Sequence, residues 1–145
     1  MASNIQDKYV TFNLGKEYYG LPIENVLSIE KPSKRTRIPN APDYVIGLIN
    51  LRGEVIPVID LRTKLGMEKN DVDKNSRIII VKENEIVVGL MVDSSKEVLD
   101  INKEDIDKPP SSENNPIIEF ISGIGKKDER LIMILNLMKL LDLRS

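Results

Sequence analysis

Gly47-Leu48-Ile49-Asn50-Leu51-Arg52-Gly53-Glu54-Val55-Ile56-Pro57-Val58-Ile59-Asp60-Leu61 decides how this chain folds, because most of its pattern recurs once. Gly123-Ile124-Gly125-Lys126-Lys127-Asp128-Glu129-Arg130-Leu131-Ile132-Met133-Ile134-Leu135-Asn136-Leu137 lies on it without a gap, 76 residues further on. Val55-Ile56 falls on Leu131-Ile132, and Val58-Ile59-Asp60-Leu61 on Ile134-Leu135-Asn136-Leu137. Each copy reads as two apolar strands joined by a polar turn, followed by a helix-capping Asp or Asn. Upstream, Gly20-Leu21-Pro22-Ile23-Glu24 resembles Gly89-Leu90-Met91-Val92-Asp93. Val26-Leu27-Ser28-Ile29 is matched to Val98-Leu99-Asp100-Ile101 after a small insertion. Ordered agreement of several blocks is the signature of internal duplication.

Around these blocks the chain is rich in strands. Val10, Phe12 and Leu14 alternate with Tyr9, Thr11 and Asn13, the period of a strand with one buried face. Gly15-Lys16 turns the chain into a second strand carrying Tyr19, Leu21 and Ile23, and Asn25 to Glu30 is again extended. Lys31 to Pro42, with three prolines and four basic residues, reads as a loop. The capping Asp60 opens a short helix with Leu61 and Leu65, closed by Gly66, and Met67 to Ser76 is a polar linker. The second unit then reads Ile78 to Val81, a turn at Asn84-Glu85, Ile86 to Val92, and Val98 to Ile101. Residues 102–116 form a loop with one helical turn at Lys103 to Ile106. Ile117 to Ile124 reads as a strand, Gly125 to Arg130 as a turn and Leu131 to Leu135 as a strand, before a short helix capped by Asn136. The expected architecture is all-β: two packed five-stranded barrels, approximately residues 9–66 and 77–141. Units this small are marginal alone, so they should pack together and offer the seam as a groove for a partner, with exchange of strands at the seam left open.

The 145 residues suit one domain or two very small ones, with 41% apolar and 30% charged residues and a net charge of -2. That balance argues against a dedicated nucleic-acid coat. Cys and His are absent, which removes thiol nucleophiles, His or Cys metal sites, Ser-His-Asp hydrolysis and a phosphohistidine on this chain. No start resembles a secretory signal and no apolar run approaches a membrane span, so a cytoplasmic location is expected. Residues 1–66 carry nine basic and seven acidic groups, and residues 67–145 twelve and sixteen.

Candidate chemistry is sparse. Asp71 begins like a calcium loop, but Ser76 stands where Gly is needed and Lys82 where Glu is needed. Gly123, Gly125 and Lys126 lack the spacing of a phosphate cradle, and a hairpin turn accounts for the glycines. Asp60 and Asp93 follow apolar strands as an acid/base pair might, though helix capping suits their placement better. The Lys31, Lys34, Arg35, Arg37 cluster lacks interleaved aromatics for base stacking and is expected to be a solvated loop, with an acidic protein partner as the alternative. Asn50-Leu51-Arg52-Gly53 supports two readings equally: a plain hairpin turn, or a rigid turn presenting one Arg as an interface anchor.

These same residues resemble the CheW family, the adaptors of bacterial chemotaxis. The resemblance is carried by Tyr9-Val10-Thr11-Phe12-Asn13-Leu14-Gly15, Glu17-Tyr18-Tyr19-Gly20-Leu21-Pro22-Ile23, Arg37-Ile38-Pro39-Asn40-Ala41-Pro42, Gly47 through Arg62, Val88 to Asp93 and Val98-Leu99. It spans Tyr9 to Leu141, and its Asn-Leu-Arg-Gly block followed by Val-Ile-Pro-Val-Ile-Asp-Leu-Arg is its most specific part. The resemblance implies one domain over residues 1–145, built from two SH3-like barrels, without catalysis or cofactor. It implies binding to the cytoplasmic tip of methyl-accepting chemotaxis receptors and to the regulatory domain of the histidine kinase CheA, with membrane association only through the receptors. It places receptor contacts at Val26, Gly47 and Arg52 within Asn50, Leu51 and Gly53, to which Ile29 is added from its place on the same segment. Kinase contacts cannot be carried over residue by residue; residues 102–116 are candidates by exposure alone. A regulatory-domain fragment of a CheA- or CheV-like protein shares this pattern and remains an alternative. A small-barrel nucleic-acid binder using the basic loop is the alternative from another class.

Overall fold

A computed structural model describes residues 7–111 and 115–141. In chain order the strands are β1 (Lys8–Leu14), β2 (Glu17–Pro22), β3 (Val26–Glu30), β4 (Val45–Leu51) and β5 (Glu54–Asp60), followed by helix α1 (Leu61–Lys64). Then come β6 (Arg77–Glu83), β7 (Ile86–Val92), β8 (Ser94–Asp100), the two-residue β9 (Ile106–Asp107), β10 (Ile121–Lys127), β11 (Arg130–Leu135) and helix α2 (Leu137–Leu140).

The strands form two sheets of the same design, ordered β8-β1-β2-β11-β10-β9 and β3-β6-β7-β5-β4. Each sheet draws on both halves of the chain: the β1-β2 hairpin joins the later strands, and the β6-β7 hairpin joins the earlier ones. The chain crosses between sheets at a 3-10 turn, Ile23–Asn25, and again at Asp93 between β7 and β8. Residues 9–66 and 77–141 therefore do not map one to one onto the sheets.

The duplication extends to the hydrogen-bond register. Val58 sits opposite Gly89 in the parallel β5-β7 pair as Ile134 sits opposite Gly20 in β11-β2. A bulge falls between Val45 and Gly47 and between Ile121 and Gly123. The Asp60 amide donates to the Tyr44 carbonyl at 2.7 Å, and that of Asn136 to the Phe120 carbonyl at 2.8 Å. The isolated bridge Thr36–Leu48 occupies the place of β9, where Asp107 faces Ile124. One sequence alignment needs correction. Ile29 pairs with Ile79 as Val98 pairs with Val10, so Ile29, not Val26, is the counterpart of Val98, and no insertion is needed before it. Apolar strands three residues out of step still match apolar on apolar, which hid the offset.

Packing explains the two hydrophobic patterns. Val10, Phe12 and Leu14 of β1 join Ile79 and Val81 of β6, Leu90 of β7, and Leu137 and Leu140 of α2 in one core shared by both sheets. The opposite face of β6 sends Ile78 and Ile80 into a separate cluster with Ile49, Ile56, Val58 and Met91. β6 is buried on both faces and so reads as an unbroken apolar run. Thr11, the counterpart of Ile80, is also buried, and its hydroxyl donates to the Glu97 carbonyl at 3.2 Å.

Three local expectations change. Ile117 to Phe120 is a 3-10 turn begun at Pro116, which cannot donate to a sheet ladder, and β10 starts only at Ile121. Gly125 to Lys127 belongs to β10, and the turn is Asp128-Glu129 alone. Gly123 and Gly125 are thus strand glycines: a Cβ on Gly123 would lie 2.7 Å from Ile106 Cγ2, and one on Gly125 3.1 Å from Ile101 Cδ1. The capping expectation holds for Asn136, whose side chain accepts from the Lys139 amide at 3.2 Å. Asp60 instead accepts from the Thr63 hydroxyl at 2.6 Å.

Candidate protein-docking surface

β3 and β4 are the two outer strands of the five-stranded sheet. Their ends approach each other across a cavity of about 150 Å³ lined by Leu27 and Ser28 from β3, Leu51 and Arg52 from the β4 side, and Ile56, Ile80 and Val87 on the floor. This is the mouth of the first barrel. Arg52 Nη2 meets Glu30 Oε2 at 3.4 Å across it, with the Arg52 side chain 72% exposed. Such an exposed pair contributes little stability.

The turn above the mouth is unusual in its residue choice. Arg52 has φ 51° and Gly53 φ 86°, the two left-handed residues of a type I′ hairpin. Asn50 Oδ1 accepts from the Gly53 amide at 3.1 Å and fastens the turn. Asn-Gly is the favoured pair in such a turn, and a left-handed Arg costs about 1 kcal/mol. The turn is therefore not selected for local stability at position 52, and its Arg projects into solvent.

The sequence-derived residues separate into groups. Asn50, Arg52 and Gly53 are exposed and Leu51 half-buried, and all four lie at the mouth; Ile29 is exposed on the other face of β3, because it pairs with Ile79 of the shared core while Ser28 pairs with Ile80 of the mouth floor. Val26 is half-buried against the shared core. Gly47 is buried and distant from the turn along β4; with φ 146°, its Cβ would lie 2.8 Å from the Thr36 carbonyl oxygen and 3.1 Å from Arg35 Cβ. Leu27, 56% exposed, and Val55, 66% exposed, escaped the sequence reading. The bulge between Val26 and Ser28 sets Leu27 outward, and simple alternation gives no sign of it. Glu30 was left out of the sequence-derived set; its pairing with Arg52, 22 residues away, is set by the sheet.

Neither aspartate considered for acid/base chemistry is available for it. Asp93 does not cap a helix. Its carboxylate takes Arg62 Nε at 2.8 Å and Nη2 at 2.5 Å, and accepts the Gly15 amide at 2.7 Å. The Arg62 hydrogen bonds hold the Asp93 carboxyl below its ordinary pKa, against the opposing pull of partial burial. This clamp ties α1, the β1-β2 turn and the chain crossing at Asp93 into one joint. Among the described residues no acidic cluster is placed to hold a metal ion, and no helix is long and apolar enough to cross a membrane.

The second barrel carries larger side chains at the equivalent positions, with a cavity of about 400 Å³ beside Tyr18 and Arg130. Arg130, the counterpart of Glu54, pairs with Glu97 at 2.9 Å and lies 4.6 Å over the Tyr18 ring. Glu97 and Tyr18 stand where the first barrel has Ser28 and Val87, and Arg130 contacts both.

The sequence profile of the CheW-like domain matches residues 8–145. The chain is 39% identical over 136 residues to a chemotaxis protein CheW of Helicobacter pylori, covering 92% of this chain and 81% of that protein. It is 34% identical over 139 residues to a chemotaxis protein CheW of Bacillus subtilis, covering 96% and 89%. In three dimensions it matches the crystal structure of the scaffolding protein TtCheW from Thermoanaerobacter tengcongensis with a TM-score of 0.88, at 40% identity, over 96% of this chain and 94% of that one. A match of this extent, in sequence and in backbone, shows that the chain belongs to the CheW family.

Proposed function

We propose that this protein is a non-enzymatic chemotaxis adaptor that couples methyl-accepting chemoreceptors to the histidine kinase CheA in the cytoplasm. The observation that carries the reading is the exposed Arg52, held in a left-handed conformation above an open, largely apolar mouth, in a chain that matches the CheW family end to end. A helix laid against an apolar surface, with polar groups setting its register, is a general recognition mode, and Arg is well suited to the second task. In this reading Val26, Ile29 and Leu51 supply apolar contact to a receptor helix, while Arg52, in the Asn50–Gly53 turn, fixes its position. Gly47 acts at a distance, by shaping the segment beside it. The kinase regulatory domain occupies a different face; residues 102–111, 115 and 116 remain candidates for it, while residues 112–114 lie outside the described residues.

Co-sedimentation with a chemoreceptor signalling fragment and a CheA regulatory domain, singly and together, tests the coupling. Binding of each alone and a ternary complex with both is the expected result; failure to bind either contradicts the reading. Val26→Asp should cost about 2–4 kcal/mol of receptor binding. Because Val26 also touches the core, Ile29→Asp at an exposed position is the companion variant. Unchanged receptor affinity in both folded variants removes β3 from the interface.

A further inference from the structure

A cation-lined space in the first barrel lies on the opposite side of Gly47 from the mouth. A cleft of about 530 Å³ is bordered by Arg35 and Arg37 from the segment after β3 and by Lys69 from the linker after α1. Ile38, Val45 and Ile46 supply apolar lining, and Asp43 is the one carboxylate on its rim. Among the described residues no carboxylate forms an ion pair with Arg35, Arg37 or Lys69. The duplicated segment of the second barrel behaves differently: Asp107, at the place of Thr36, pairs with Lys126 at 3.2 Å and neutralises its own strand.

Gly47 builds this cleft. The Thr36 amide donates to the Leu48 carbonyl and the Leu48 amide to the Thr36 carbonyl, both at 2.8 Å, which seats Arg35 and Arg37 directly against β4. That approach is possible only because position 47 has no Cβ. The cleft and the Arg52 turn thus lie towards opposite ends of one seven-residue outer strand, about 23 Å long at ordinary strand rise. A helix of about 15 residues spans that length.

We propose that the cleft formed by Arg35, Arg37 and Lys69 docks an acidic, apolar-faced helical segment of the chemoreceptor, which continues along β4 from the Arg52 turn. The inference rests on the receptor reading above and extends it to a second, electrostatic contact. Three unpaired cations over an apolar floor suit carboxylates on a helix whose other side chains are apolar, and continuity along β4 favours the partner that meets Arg52. The contact explains how a buried glycine serves binding: it positions the cations and touches nothing itself.

The test compares the unmodified protein with Arg35→Glu/Arg37→Glu/Lys69→Glu, all exposed positions, in titrations against the receptor signalling fragment at low and high salt. The expected result is roughly tenfold weaker receptor binding at low salt, a loss that shrinks as salt rises, and recovery in Arg35→Lys/Arg37→Lys. Parallel titrations use the CheA regulatory domain, self-association and single-stranded DNA. Receptor affinity equal to that of the unmodified protein overturns the inference, whether or not one of the other three probes is lost. Failure of the unmodified protein to bind the receptor fragment at all contradicts the adaptor reading instead, so the two outcomes are distinct.

Discussion

The turn at Arg52-Gly53 and the turn at Asp128-Glu129 are the same piece of backbone used twice. Both are two-residue, left-handed turns: φ is 51° and 86° in the first, 52° and 63° in the second. Both are followed by an outward apolar residue, Val55 at 66% exposure and Leu131 at 62%. The difference lies in what surrounds them. One mouth is bridged loosely by Arg52 and Glu30; at the other Arg130 pairs with Glu97 and lies over the Tyr18 ring. Backbone register survived the duplication while the side chains at the barrel ends diverged. A barrel end can change its surface without changing its fold, because both turns keep the same left-handed backbone, which in the first is also fastened by Asn50 accepting from the Gly53 amide.

The largest effect expected from this comparison is in the barrel interiors. Ile80 is 1% exposed in an all-apolar cluster, so Ile80→Ala should cost about 2–4 kcal/mol of unfolding free energy. Its counterpart Thr11 is held by a hydrogen bond to Glu97, and Thr11→Ala should cost about 1 kcal/mol. Urea melts of the two variants check the ratio. Equal losses would mean that the interiors are energetically alike despite their different composition.

Next come the twin glycines. A Cβ at Gly47 meets the Thr36 carbonyl at 2.8 Å in a left-handed backbone; at Gly123 it meets an Ile106 methyl at 2.7 Å. A backbone carbonyl held by the Leu48 amide, in a residue whose own amide is bonded to Leu48 in turn, cannot yield as a methyl can. Gly47→Ala should therefore cost about 2–3 kcal/mol and Gly123→Ala about 1 kcal/mol, measured by the same melts.

The seams differ as well. Arg62 clamps Asp93 at one chain crossing, whereas the counterparts of these residues, Met138 and Glu24, form no such pair. Asp93→Asn should destabilise by about 1–2 kcal/mol at neutral pH, allowing for screening of a partly exposed pair, and Glu24→Gln by less. The folded-state pKa of Asp93 lies below its ordinary value of 3.8. The contribution is therefore complete above about pH 4 and fades as pH falls through the depressed value. Asp93→Asn should consequently flatten the acid limb of the stability profile; an acid limb identical to that of the unmodified protein would remove the clamp from the balance.

Much of this was readable from the chain. The alternation of Val10, Phe12 and Leu14 marked a strand with one buried face, and the offset of 76 residues identified the equivalent hairpins, whose matching bulges only the structure shows. The exchange of the β1-β2 and β6-β7 hairpins between sheets was foreseen only as a possibility, since pairing partners far apart in sequence leave no local signal. Ile117 and Ile118 have strand-like composition but sit on the core from a 3-10 turn, because Pro116 precedes them. Arg52 was legible as an anchor or a turn, and its geometry shows that it is part of a turn with an exposed side chain that reaches Glu30 across the mouth. Leu27 and Glu30 were hidden, the first by a bulge that breaks the alternation of β3, the second because its partner is 22 residues away.

The central claim is that Arg52 is kept for docking at some cost to the turn that holds it. Arg52→Asn tests this most directly, because it installs the pair that a type I′ turn prefers and removes the projecting guanidinium together with its exposed contact to Glu30. The expected result is a melting temperature level with the unmodified protein or roughly 1–3 °C higher, together with receptor binding weakened about tenfold or more. Unchanged receptor affinity in that variant would contradict the claim and leave Arg52 as an ordinary turn residue.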